Sequence, residues 1–181
     1  QIAGTSKDLE LLYGIAQAIS SCLDLQEILQ RAIEAAAQAT QADACLLYLI
    51  DRERGELVLT ASKDPHPEVL GEVRLKLGEG ITGWVARERK PVAIEREASR
   101  DPRFVPFSCL PEDLYQAFLS VPILSRDEVI GVINVQHRRP RRYSAATTAL
   151  LSVIAGQIGG AIGHARLLEE THRRSRQLET L

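Results

Sequence analysis

Residues 117–137, AFLSVPILSRDEVIGVINVQH, read as two strands joined by a tight turn. Leu119, Val121 and Ile123, then Val129, Ile130, Val132, Ile133 and Val135, supply the β-branched and aliphatic enrichment of strands. Ser125, Arg126, Asp127 and Glu128 form the polar turn. Apolar residues fall on both alternating sets of positions, so both faces of this hairpin are expected to be covered. A pair buried on both sides belongs in the middle of a sheet, with the other elements packed around it.

The remaining composition is compatible with such a core. The chain has 181 residues, enough for one domain with extensions. It is 45% hydrophobic but only 4% aromatic, so the core is mainly aliphatic. A net charge of −2 argues against a general nucleic-acid binder. Cys22, Cys45 and Cys109 are odd in number and unpaired in spacing, which suggests neither a disulfide framework nor a metal site and fits a reducing cytoplasm. No apolar run of membrane-spanning length and no signal peptide stand out in the sequence, so direct membrane insertion is not expected. The chain starts at Gln1 and contains no Met, as a segment of a longer polypeptide would.

Upstream of the hairpin, Leu9, Leu12, Ile15, Ile19 and Leu23 recur at helical spacing and predict a helix over 8–22. Asp24 and Glu27 make a capping box for a second helix, whose inner face is Leu25, Ile28, Leu29, Ala32, Ile33 and Ala36. Residues 44–50 and 56–62 predict a hairpin around the polar turn 51–55. Residues 63–71 form a loop, 72–77 (EVRLKL) a strand with one wet face, 81–89 a short helix and 91–94 a short strand.

Five of the eight aromatics, Trp84, Phe104, Phe107, Tyr115 and Phe118, lie between 84 and 118. Residues 95–116 otherwise read as an irregular loop. The aromatics either form a local cluster on the sheet or line a cavity under a lid. Beyond the hairpin, Arg138, Arg139, Arg141 and Arg142 flank Pro140. This basic run reads as a solvated loop, because no aromatics interleave for base stacking. Ser144 then caps a long helix over 145–181, about 55 Å at about 1.5 Å per residue. Its seam Ile154, Ile158, Ala161, Ala165 and Leu168 predicts a partner helix. Gly156, Gly159, Gly160 and Gly163 each cost about 1 kcal/mol in a helix, so close backbone approach or a kink is expected there.

Residues 78–83, GEGITG, match the G-x-G-x-x-G pattern of dinucleotide folds, with Glu95 17 positions after Gly78. The preceding strand is half charged, the helix is short and the strongest strands form a hairpin, so the glycines instead read as a tight turn into a helix that packs Trp84 and Val85. His66, His137, His164 and His172 are scattered, and no nucleophile elbow occurs.

In order along the chain, LGEGITGWVARERKPVAI, SRDPRF, FLSVPILSRDEVIGVINVQHRRPRRYS and LLSVIAGQIGGAI together resemble a GAF domain over about residues 25–165. The resemblance implies an α+β fold. Its central antiparallel sheet has five or six strands, with the N- and C-terminal helices packed on one face and short helices and loops over a pocket on the other. It implies a GAF domain at 24–165, an N-terminal dimer or linker helix at 1–23 and a C-terminal signalling helix at 166–181.

The implied function is a small-molecule-sensing regulatory module of a cytoplasmic signal-transduction protein. Its last helix would relay to an output domain in the same polypeptide, such as the histidine kinase of a two-component system, a cyclase, a phosphodiesterase or a transcription activator. Two alternatives stay open: a dimerisation and relay module without a ligand, and a redox enzyme of the free methionine sulfoxide reductase type using Cys45 or Cys109. The leading reading is not an enzyme and has no metal site.

The cyclic-nucleotide signature is incomplete, because Val135 follows Asn134, Tyr143 takes the aromatic place and Ala146 and Thr147 replace the acidic pair. No cysteine is followed by His, which disfavours a covalent bilin; haem on His137 stays open. Expected pocket residues are Trp84, Phe104, Phe107, Phe118, Ser120 and Asn134. A homodimer is expected through Leu12, Ile15, Ile19, Ile158, Ala161, Ala165 and Leu168.

Overall fold

The computed structural model describes residues 7–12, 25–63, 70–106 and 115–180. Residues 7–12 are helical; the rest of the predicted first helix, with the Asp24 cap, lies outside the described residues. The elements then run α1 (Leu25–Thr40), β1 (Ala44–Asp51), β2 (Glu56–Lys63), β3 (Arg74–Lys76), α2 (Gly80–Glu88), β4 (Val92–Ile94), a 3-10 turn (Ala98–Arg100), β5 (Ala117–Ser125), β6 (Glu128–His137) and α3 (Ala145–Glu179).

The six strands form one sheet in the order β3-β2-β1-β6-β5-β4, with every neighbouring pair antiparallel. The hairpin β5–β6 lies inside it, as its two-sided apolar pattern requires. Arg126 and Asp127 make the turn in the left-handed region, with φ of 49° and 64°, the conformation that matches the twist of paired strands.

Two cores lie on the two faces of this sheet. On one, α1 and α3 pack Leu29, Ile33, Leu151, Ile154, Ile158 and Ile162 against Leu47, Leu119, Val121, Ile123, Ile133 and Val135. Leu11 and Leu12 are half-buried against the same core. On the other, α2 covers Leu46, Tyr48, Leu57, Leu59, Phe118 and Val132 with Ile81 and Val85. The architecture is the α+β arrangement expected from the sequence.

The G-x-G-x-x-G segment is a turn. Gly78 and Gly80 take φ of 87° and 68°, Gly78 N–H donates to the Gly83 carbonyl, and among the described residues no parallel βαβ crossover follows.

Helix α3 opens on the predicted cap, with the Ser144 hydroxyl accepting from Thr147 N–H at 3.1 Å. At 35 residues it is about 52 Å long. Gly159 meets β5 backbone to backbone, and a Cβ there would collide with the Leu124 carbonyl. Gly156 and Gly160, by contrast, face open space.

Two expectations need correction. Ile158 is not an outward seam residue but is fully buried against the sheet, because α3 turns its 154/158 face inward. The helix also contains an 18-residue window of mean hydropathy 1.5, apolar and long enough to cross a membrane by length and composition. One such helix is weak evidence, because a core helix passes the same test, and here Leu151, Ile154, Ile158 and Ile162 cover the sheet.

Candidate functional site

The face covered by α2 is where polar groups enter the interior. Ser120 on β5 and Asn134 on β6 are direct cross-strand partners, both completely buried. The Ser120 hydroxyl donates to Asn134 Oδ1 at 2.5 Å, and Asn134 Nδ2 donates to Thr82 Oγ1 at 2.8 Å. Thr82 sits in the first turn of α2, so this buried chain joins the two central strands to the covering helix. Three polar side chains in an apolar layer are tolerable only because each satisfies another.

Thr82 accepts from Asn134 and keeps its own O–H to donate. It lines a cavity of ≈ 10 Å³ with Leu75, Ile81, Phe104, Val105 and Phe118, space for about one water.

The six expected pocket residues therefore separate. Phe104 and Phe118 line the cavity. Ser120 and Asn134 support it from below through Thr82. Trp84 is half-buried on α2 under the Arg103 guanidinium, 4.8 Å from the ring centroid. Arg103 also grips Asp101 through two bonds of 2.9 and 2.8 Å, and that pairing holds the Asp101 carboxyl below its ordinary range. Phe107 lies outside the described residues. Sequence reasoning missed Thr82, although its place just after the glycine turn was a usable signal. It also missed Gln136, directly opposite Phe118 on the same face. Gln136 is buried, and its Nε2 has no hydrogen-bond partner among the described residues.

The helix-covered face offers less chemistry. Cys45 lies in its core, where burial pushes the thiol far up and keeps it protonated; Cys22 and Cys109 lie outside the described residues. His137 is not available to haem, because both ring nitrogens are used. Nε2 donates to the Thr40 carbonyl at 3.1 Å, which leaves Nδ1 to accept from the Tyr143 hydroxyl at 2.7 Å. Burial lowers the His137 pKa, which favours this neutral form.

Among the described residues, no group of three or more His, Cys, Asp or Glu side chains is placed to hold a metal ion. The basic run is stitched down: Arg138 N–H donates to Asp43 Oδ2 at 2.7 Å and Arg141 N–H to the Glu95 carbonyl. Of the expected dimer residues, Ala161 and Ala165 are half-buried and Leu168 is exposed; Ile15 and Ile19 lie outside the described residues.

This geometry has close relatives. The chain is 27% identical over 177 residues to the Nif-specific regulatory protein of Azospirillum brasilense, covering 93% of this chain but 28% of that one. The GAF domain of an Acinetobacter phosphoenolpyruvate-protein phosphotransferase superposes with a TM-score of 0.80 at 34% identity, covering 91% and 98% of the two chains. The free methionine-R-sulfoxide reductase of Neisseria meningitidis shares the fold alone, with a TM-score of 0.76 at 19% identity and coverage of 89% and 91%. The family model for the GAF domain matches residues 22–163. With that match spanning both central hairpins, the covering helix and most of the packed part of α3, the chain belongs to the GAF domain family.

Proposed function

We propose that this chain is a regulatory module in which a small molecule, bound on the α2-covered face, changes how α3 leaves the fold. The observation that carries the reading is the buried Ser120–Asn134–Thr82 chain. It ties the cavity wall to the central hairpin, whose other face holds α3 through Ile133, Val135 and the contact of Gly159 with Leu124. A ligand accepting from the Thr82 hydroxyl would favour one position of α2 and so bias the hairpin. The Nif-specific regulatory relative supports a regulatory role. Because this chain spans 28% of that relative's length, the output domain is assigned to a further part of the same polypeptide, in the cytoplasm.

The test is a thermal-shift screen with cyclic nucleotides, 2-oxoglutarate, amino acids, nitrate and haem. A ligand at about 100 times its dissociation constant adds about 2.7 kcal/mol. A hit abolished by Thr82→Val supports the reading; a hit indifferent to Thr82→Val and Phe104→Ala overturns the assigned site.

One observation favours a second reading, a dimerisation and relay module without a ligand. The cavity holds only about one water, while the outward face of α3 carries exposed Val153 and Leu167 beside the open Gly156 and Gly160. It predicts a dimer by sedimentation that Val153→Glu dissociates, with no compound raising Tm.

A further inference from the structure

Where α3 leaves the sheet, the protein carries more positive charge than it neutralises. A groove of ≈ 1010 Å³ lies there between the β1–β2 turn, the β5–β6 turn and the second half of α3. Five arginines line it, Arg52, Arg126, Arg166, Arg173 and Arg176, against three carboxylates, Glu128, Glu169 and Glu170, with the Ser125 hydroxyl beside them. Arg52 pairs with Glu128 at 3.4 Å, an exposed contact of little strength.

Arg166 differs. It is half-buried, and among the described residues it makes no hydrogen bond or ion pair. Arg103, also half-buried, is fully occupied by Asp101. Burial and the neighbouring Arg52 charge both disfavour the Arg166 cation, and Glu128 works against them without cancelling them. A partly desolvated guanidinium that no carboxylate engages within ion-pair distance among the described residues gains from an anion that completes it. Ser125 adds a hydroxyl at the helix surface, close enough that a Cβ on Gly163 would stand 2.6 Å from its Oγ.

We propose that Arg52, Arg166 and Ser125 form a binding site for the phosphate group of a small soluble ligand, which bridges the strand turns to α3. Two guanidinium forks and a hydroxyl match the oxygens of a tetrahedral oxyanion. Two cations suit the charge of a phosphate, about −1.5 to −2 near neutral pH, better than a single carboxylate. The site is on the opposite side of the molecule's functional logic from the α2-covered cavity: it acts on α3 directly, where the helix departs, and stands whether or not that cavity takes a ligand.

The test titrates inorganic phosphate into the ¹⁵N-labelled chain, with sodium chloride at matched ionic strength and sodium acetate as parallel arms. Saturable shifts are expected at the amides of Arg52, Ser125 and Gly163, with acetate binding more weakly. Arg166→Gln and Arg52→Gln should each weaken phosphate binding about tenfold, while Arg142→Gln, in the basic run before α3, leaves it unchanged. Shifts reproduced by chloride, equal affinity for acetate, or undiminished binding in Arg166→Gln would each overturn the assignment. Circular dichroism of every variant separates lost binding from lost fold.

Discussion

The two faces of the β5–β6 hairpin are built from alternate residues of the same strands, yet they do different work. Leu119, Val121, Ile123, Ile133 and Val135 point to the terminal helices, into a mostly aliphatic core that also holds Cys45 and Tyr143, with glycine-tight backbone at Gly159. Phe118, Ser120, Asn134 and Gln136 face the other way, where hydroxyls and amides interrupt the core. The difference separates the face that anchors the terminal helices from the face proposed above to take a ligand.

The comparison can be broken on the helix side first, where the largest effect is expected. Ile158→Ala should cost about 3–4 kcal/mol in urea unfolding, because Ile158 is fully buried between α3 and the sheet. A loss under about 1 kcal/mol would mean α3 is not packed as described. On the polar side, Asn134→Ala strands the Ser120 hydroxyl and removes the donor to Thr82, at a cost of about 2 kcal/mol. A double-mutant cycle of Asn134→Ala with Thr82→Val should return a coupling of about 1 kcal/mol; additive losses would remove the link between α2 and the sheet.

A smaller effect sharpens the contrast. Gln136→Met should leave stability equal or raise it by up to about 1 kcal/mol, since it removes a buried amide N–H with no partner among the described residues. A clear loss of stability would show that the amide is satisfied.

His137 supplies the smallest effect, and its sign follows from its neutral folded form. Its pKa is lowered by burial, so the unfolded chain binds the proton more readily. The contribution is complete above the unfolded value of about 6.5 and is lost as pH falls through the folded one. The slope there should not exceed about 1.4 kcal/mol per pH unit, and His137→Gln should flatten it.

Much of this architecture was legible in the residues. Alternation on both registers placed β5–β6 at the centre of the sheet, and Ser144 marked the start of α3, because strand period and helix caps are local physics. The site was legible in part. Ser120 and Asn134 stood out as polar residues in apolar strands, but only the fold sets Thr82, 52 positions before Asn134, against them. The α3 seam failed for a related reason. Ile154 and Ile158 have the spacing of a coiled coil, and the same spacing serves a helix lying on a sheet. Nothing in the pattern says which surface arrives. Arg166 was invisible for the same cause, since only the fold sets it beside Arg52 and Glu128.

The central claim is that the polar chain on one face of the hairpin is felt by the helix on the other. Amide hydrogen exchange on the wild-type chain and on Asn134→Ala tests it most directly. The account predicts faster exchange in α2 and also in α3 around Gly159 and Ile162, through the contact with Leu124. Faster exchange confined to α2, with α3 protected as in the wild type, would contradict it.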